Sequence, residues 1–397
     1  MPRTPIYLDN HATTRVDPRV VEAMLPFFTD SYGNPASVTH AVGRAARDAV
    51  ETARAKIAAA VGVAAKEIVF TSGATESNNL AIKGIAGHPS RRGRHLVSVV
   101  TEHPSVLEPL ERLAAAGFEV TLLPVAPKGH PRAGLVDPQA VADALREDTI
   151  LVSVMLANNE VGAIAPVGEI ARICHERDLP LHSDATQAVG KTAVDFRALG
   201  VDLASFSAHK VYGPKGIGAL YVRHRNRRAR LAPLIDGGGH ERGLRSGTLN
   251  AAAIVGFARA VELCLEELPA EAKRLRGLRN RLFAGITSAL DGVTLNGPVL
   301  EREDWRLPGN LNLAFGDVDG ESLLMNVPDL ALSSGSACTS AQPGPSHVLR
   351  ALGMADDTVR SSVRFGLGRF NTSEELDYTL CLIVEAAARL RRMASSA

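Results

Sequence analysis

The stretch Val201-Asp202-Leu203-Ala204-Ser205-Phe206-Ser207-Ala208-His209-Lys210 begins as an apolar strand and closes on small polar residues, an imidazole and an amine. A lysine held at the mouth of a buried strand can lose its proton by desolvation and attack a carbonyl. Upstream, Leu179-Pro180-Leu181-His182-Ser183-Asp184-Ala185-Thr186-Gln187 reads as a second short strand, and it delivers a carboxylate at Asp184. A carboxylate and an amine on neighbouring strand ends are the two anchors that pyridoxal phosphate needs, one for its pyridine nitrogen and one for a Schiff base.

Working outward, Glu67-Ile68-Val69-Phe70, Leu96-Val97-Ser98-Val99-Val100, Val120-Thr121-Leu122-Leu123 and Ile150-Leu151-Val152-Ser153-Val154 are short apolar strands between Ala-rich helical stretches. That alternation predicts an α/β fold with a mostly parallel sheet covered by helices on both faces. From about Leu263 the pattern changes to a charged amphipathic stretch from Glu266 to Leu290, then strands around Leu311-Asn312-Leu313-Ala314-Phe315 and a terminal helix. A second, smaller α+β domain is expected there.

Composition narrows the class. With 397 residues, 45% of them hydrophobic, the chain can bury a large core and is expected to form two closely packed domains. A formal charge of +1, from 44 basic and 43 acidic residues, argues against bulk nucleic-acid binding. The start, Met1 to Asn10, lacks the apolar core of a signal peptide, and no apolar run approaches the ~20 residues of a membrane span, so the cytosol is the expected compartment. Cys174, Cys264, Cys338 and Cys381 are widely separated, with neither CxxC spacing nor the density of a disulfide framework. Cys174, Cys264 and Cys381 read as buried helical positions, where cysteine acts as a small hydrophobe. Cys338 differs: Leu332 to Ser346 has no apolar period to bury it, which predicts an exposed, reactive thiol on a Ser/Gly loop. The twelve histidines show no metal-ligand spacing, so no resident metal is expected.

Further motifs fit the same cofactor. Strand Ile68-Val69-Phe70 runs into Thr71-Ser72-Gly73-Ala74-Thr75-Glu76-Ser77 and then a helix, a small-residue turn that offers backbone N–H groups to a phosphate, or equally a plain structural cap. It is not a Walker A loop, because the Gly-Lys-Ser/Thr ending is missing. His103 ends another strand, at the carboxyl edge where open α/β sheets bind ligands. Asn158-Asn159-Glu160 follows the strand at Ile150 to Val154 and could add an amide to the site or form an ordinary turn.

Leu8-Asp9-Asn10-His11-Ala12-Thr13-Thr14, Thr71 to Ser77, Thr101-Glu102-His103, Asn158-Asn159-Glu160-Val161-Gly162, Asp184-Ala185-Thr186-Gln187, Ser205 to Lys210 with Tyr212-Gly213-Pro214-Lys215-Gly216, Arg245-Ser246-Gly247-Thr248 and Ser333 to Ser340 together resemble a cysteine desulfurase of the NifS/IscS type. The resemblance runs collinearly over nearly the whole chain. It implies a pyridoxal-phosphate-dependent transferase of fold type I, with a large cofactor-binding domain over residues 16–264 and a small domain from residues 1–15 and 265–397 that carries the cysteine loop. The implied enzyme is a homodimer that converts L-cysteine to L-alanine and keeps the sulfur as a persulfide on Cys338, for an acceptor such as an iron–sulfur scaffold. Lys210 would bind the cofactor, Asp184 its ring nitrogen and Gln187 its ring hydroxyl, while His103 would stack on the ring and move protons. Ala74, Thr75, Ser207 and His209 would hold the phosphate, with Thr248 reaching it from the other subunit. Asn159 would sit near the ring hydroxyl and the substrate carboxylate, which Arg364 would clamp. In some relatives the loop cysteine helps ligate an iron–sulfur cluster in transfer, a passing role that the resemblance extends to Cys338. The sequence ends four residues after Met393, whereas housekeeping relatives carry a longer tail that helps dock the scaffold, so the resemblance does not extend to that docking geometry. Arg223 to Arg230 is a basic cluster read as a solvated loop, and Gly237 to Gly243 resembles an active-site loop of the family.

Overall fold

The computed structural model describes residues 2–224, 228–334 and 344–395. A seven-stranded sheet has the order Ile68–Thr71, Gly218–Val222, Leu203–Ser207, Leu181–Asp184, Thr149–Ser153, His95–Val99, Glu119–Leu123. Gly218–Val222 is antiparallel to both its neighbours, and the other strands run one way. Successive residues of these strands enter opposite cores: Ile68 and Phe70 join one apolar cluster and Val69 the other, and Ala204 and Phe206 divide from Leu203 in the same way. That is how a sheet with helices on both faces satisfies the period of two. Because the strands are parallel, their carboxyl ends meet at one edge, and the register pairs Asp184 with Ser205, five residues before Lys210.

A separate apolar cluster gathers Ile6 and Leu8 with Leu275, Leu282, Leu313, Phe365 and Ile383. Its four-stranded antiparallel sheet has the order Ser333–Ser334, Ser362–Gly366, Asn310–Phe315, Val293–Leu295. The compositional shift near Leu263 falls inside one continuous helix, Ala251–Ala289. Its first half, through Cys264, packs in the core of the large sheet, and Leu275, Leu278, Leu282 and Ile286 pack in the second core. The sequence pattern therefore changes where the helix changes partners, with exposed Pro269 between the two runs.

The amino-terminal segment threads between the two cores. Asn10 N donates to Gly366 O at 3.1 Å, and Gly366 N donates back to Leu8 O at 2.6 Å. A Cβ on Gly366 would meet the backbone nitrogens of Asn10 and His11 at 3.0 Å, so a larger residue would push this segment away from the strand.

Cys174 and Cys264 are buried as expected, and burial pushes their thiols up to about 12 and about 11. Cys381 is exposed, contrary to expectation: the helix Ser373–Ser395 turns Ile383, Ala386 and Ala387 into the core, and Cys381 falls on its outer side. In the basic cluster, Arg223 and Arg228 lie 3.7 and 3.6 Å from the buried carboxylate of Asp202, so these two arginines are anchored rather than free in solvent. No helix among the described residues is long and apolar enough to cross a membrane.

Candidate active site

The carboxyl edge of the large sheet opens into a cavity of about 550 Å³. Ala74, Thr75, His103, Asn159, Asp184, Gln187, Ser207, His209 and Lys210 all line it. Arg364 stands directly behind: its Nη1 donates to Asn159 O at 3.1 Å, and its Nη2 pairs with Asp9 Oδ1 at 2.8 Å. Thr248 is not part of the lining and is exposed on this chain. Cys338 lies outside the described residues.

The turn after Ile68–Thr71 ends at Gly73, at φ +157° and ψ 179°, a conformation that costs a residue with a Cβ dearly. Gly73 begins the helix Ala74–Gly87 with no side-chain cap, and Ser77 N is the donor that bonds back to Gly73 O. The Glu76 carboxylate accepts from Ser72 N at 2.7 Å instead, so the capping reading of this motif does not hold at the first turn. The N–H groups at this helix start are left for a ligand, beside Ser207 and His209. Burial, then Lys210, Lys215 and Lys191, push His209 down to about 4, which keeps it neutral.

Asp184 is aimed by two donors: Asn78 Nδ2 reaches Oδ2 at 2.8 Å, and Thr186 N reaches Oδ1 at 2.9 Å. Behind it lies Glu102, buried, its Oε1 accepting from Met155 N at 2.6 Å. Desolvation and the neighbouring Asp184 carboxylate hold Glu102 well above the usual carboxyl range. Lys210 Nζ donates to the carbonyls of His11 and Ala12 at 2.7 and 2.6 Å, so the Asp9 to Thr13 turn positions the amine. His103 both caps the helix Pro104–Ala115 and faces the cavity: its Nδ1 accepts from Ser105 N at 3.1 Å. Burial lowers its pKa, Lys210 and His347 add to that, and Asp184 opposes it.

Both described flanks of the Cys338 segment are tied to this site. Upstream, Ser333 pairs with Arg364 in the small sheet. Downstream, Ser346 Oγ donates to the buried Glu160 Oε2 at 2.5 Å, and His347 Nε2 donates to Glu102 O at 2.9 Å.

Sequence reasoning missed Asn78, Glu102 and Glu241. The last is a buried carboxylate that accepts from both terminal guanidinium nitrogens of Arg54 at 2.7 Å and from Phe70 N at 2.7 Å. Their signal was weak, since each is a polar residue in a segment whose burial only the tertiary fold reveals.

The donor set fits pyridoxal phosphate: an uncapped helix start for the phosphate, an aimed carboxylate for the ring nitrogen, and an amine at the same edge. Residues 6–379 match the aminotransferase class-V family. A protein of Anaeromyxobacter dehalogenans named cysteine desulfurase IscS is 55% identical over 391 residues, covering 98% of this chain and 94% of its own. Among solved structures, a NifS-like protein is 40% identical with a TM-score of 0.88, over 96% of this chain and 99% of that one. A structure titled "SspA in complex with cysteine" is 37% identical with a TM-score of 0.79, over 92% and 99%.

Proposed function

The chain belongs to the aminotransferase class-V family, which is pyridoxal-phosphate-dependent, and from that premise we propose that it is a cysteine desulfurase acting on L-cysteine. The observation that carries the reading is the single cavity in which Asp184, Lys210, His103 and an uncapped helix start converge. Pyridoxal phosphate bound there supplies an electron sink that lets an amino acid lose its Cα proton.

The side chains divide the remaining work. Lys210 would hold the cofactor through its amine and, at the same edge, would carry the Cα proton. Asp184, kept in place by Asn78 and Thr186, supports a protonated ring nitrogen. His103, its pKa lowered, is neutral at pH 7 and able to take up a proton as the substrate thiol is consumed. Arg364, its fork already directed by Asp9 and Asn159 O, receives the substrate carboxylate. The Cys338 thiolate forms an S–S bond with the substrate sulfur while the C–S bond breaks, and the bonding pair stays on the carbon that becomes the methyl of alanine. Cys338 leaves as the persulfide and passes its outer sulfur to an acceptor such as an iron–sulfur scaffold, with transient ligation of a cluster in transfer.

We assign the remaining organisation on the same footing. Residues 16–264 form the cofactor domain, and 1–15 with 265–397 the domain of the cysteine loop. The enzyme works as a cytoplasmic homodimer in which Thr248 completes the phosphate site of the partner. Leu25, Phe28 and Tyr32, 57%, 61% and 70% exposed on this chain, are the apolar surface that supports a subunit contact.

The test is to incubate the holoenzyme with L-cysteine and to measure alanine together with the mass of the peptide containing Cys338. Alanine with a one-sulfur gain on that peptide is expected, and Cys338→Ser should abolish both sulfur capture and release. Alanine without the gain would replace the persulfide step by direct release of sulfur, and no alanine would overturn the assignment.

A further inference from the structure

Gln187 lines the cavity, but its orientation is decided by residues behind it. Lys191 Nζ donates to Gln187 Oε1 at 2.6 Å. His11 Nδ1 lies 3.2 Å from the same oxygen, and Gln187 Nε2 donates to His11 O at 2.9 Å. An ammonium can only donate and a backbone carbonyl can only accept. The oxygen of the carboxamide must therefore face Lys191 and its nitrogen must face His11 O, two independent constraints that agree. His11 meets an acceptor, so its Nδ1 carries the hydrogen. Both lone pairs of Oε1 are then engaged, and one N–H of Nε2 remains for the cavity.

We propose that Lys191 is a positioning residue: it locks the Gln187 carboxamide with an N–H toward the cavity and so holds the ring oxygen of the cofactor as an anion. The proposal rests on the pyridoxal phosphate reading above and assigns a role to a residue outside the cavity lining. Its geometry follows from the chain, because Lys191 lies four residues after Gln187 across consecutive hydrogen-bonded turns, with Val189 N bonded to Ala185 O and Lys191 N to Ala188 O. Electrostatics point the same way. Desolvation, then Lys210 and Arg364, push the half-buried Lys191 down to about 7, with Cys264 opposing. His11 is held well below its ordinary value by burial, then by Lys191 and Arg364. Lys191, Lys210 and Arg364 thus disfavour one another's charge on this side of the site, and an anionic oxygen there favours the ammonium form of Lys191.

The pH midpoint of the visible absorption band of the bound cofactor tests this without reading turnover. Freeing the carboxamide to turn its N–H away from the cavity makes the ring oxygen more basic, so the protonated form persists to higher pH. Lys191→Met should raise the midpoint by about one unit, and Lys191→Arg should keep it near that of the unaltered holoenzyme. Gln187→Leu should raise it too, and the double variant should match Gln187→Leu alone, because residues acting through one group are not additive. An unchanged midpoint in folded Lys191→Met would overturn the proposal, as would full additivity, which would mean that Lys191 acts by charge alone. If Lys191→Met does not fold, Lys191→Gln takes its place with the same direction expected. A protein that makes no alanine from cysteine refutes the desulfurase reading and leaves this test intact, whereas one that takes up no pyridoxal phosphate overturns both.

Discussion

Glu241→Gln should cost about 3 kcal/mol of stability, although residue 241 lies outside the cavity lining. The Arg54 and Glu241 side chains are 4% and 2% exposed, and they meet through two hydrogen bonds of 2.7 Å. Desolvation pulls the Arg54 pKa down, but Glu241 and Glu51 more than offset it and raise it overall. Breaking such a pair leaves a buried charge short of its partner at about 3–5 kcal/mol, and the exposed Glu51, 3.2 Å from Arg54 Nε, compensates only in part. Glutamine keeps the shape and one acceptor, which places the loss near the lower end. At about 2 °C per kcal/mol for a unit of a few hundred residues, the thermal midpoint should fall by roughly 6 °C. The comparison needs one scan rate and one cofactor concentration, because bound ligand and irreversible unfolding both move the midpoint. Arg54→Met combined with Glu241→Gln should recover at least half of the loss, since neither charge is then buried alone, and the Phe70 N–H keeps an acceptor. A single variant within 1–2 °C of the parent, or a double variant below the single one, would refute the argument. The pair has a functional reach as well: Glu241 holds Phe70 N, and Arg54 and Arg242 both donate to Ile68 O at 3.0 Å, on the strand that feeds Gly73.

Asn78→Ala removes a charge-assisted bond to Asp184, worth about 2 kcal/mol, so equilibrium binding should show pyridoxal phosphate affinity falling about 30-fold. Arg364→Lys loses the planar fork held by Asp9 and Asn159 O, and steady-state kinetics should show KM for cysteine rising tenfold or more with a smaller change in kcat. Glu102→Gln should stabilise the protein at pH 8 and be neutral near pH 4, read by denaturant midpoints across pH. The sign follows from the raised carboxyl pKa: the folded state binds this proton more tightly than the unfolded chain, so its contribution is full below the unfolded value and is lost as pH rises toward the folded one. Glutamine has no proton to lose, and a variant whose stability tracks the parent at every pH would show that Glu102 is ionised in the fold.

What the sequence disclosed follows from where each signal resides. Asp184 and Lys210 were legible because strand period and strand ends are local, and parallel neighbours bring such ends to one edge. The shift at Leu263 was legible as a change of pattern, yet its cause, one helix passing between two cores, was not, because periodicity does not say which partner a face meets. Cys381 was misread for the same reason: an apolar neighbourhood in a helix does not fix which residue of the turn faces outward. Glu102, Glu241 and the tie between Lys191 and Gln187 depend on burial and on contacts across 53, 187 and 4 positions. Only the last is short enough to be suspected from spacing.

The charge arrangement of the site ties these residues to the chemistry. Desolvation drives the buried acids and bases toward neutrality from opposite sides: Glu102 and Glu160 are raised, while His11, His103 and His209 are lowered. Groups of opposite sign that a zwitterionic substrate and a phosphorylated cofactor can meet, Asp184 and Arg364, stand at the same edge. Burial, with Lys210 and His347 adding to it and Asp184 opposing, keeps the His103 imidazole neutral in the resting site, so its lone pair is available when charge develops nearby. His347 belongs to the flank of the cysteine segment and also bonds Glu102 O, next to His103 in the chain. The protonation of His103 is therefore coupled, through one imidazole, to the segment that carries Cys338.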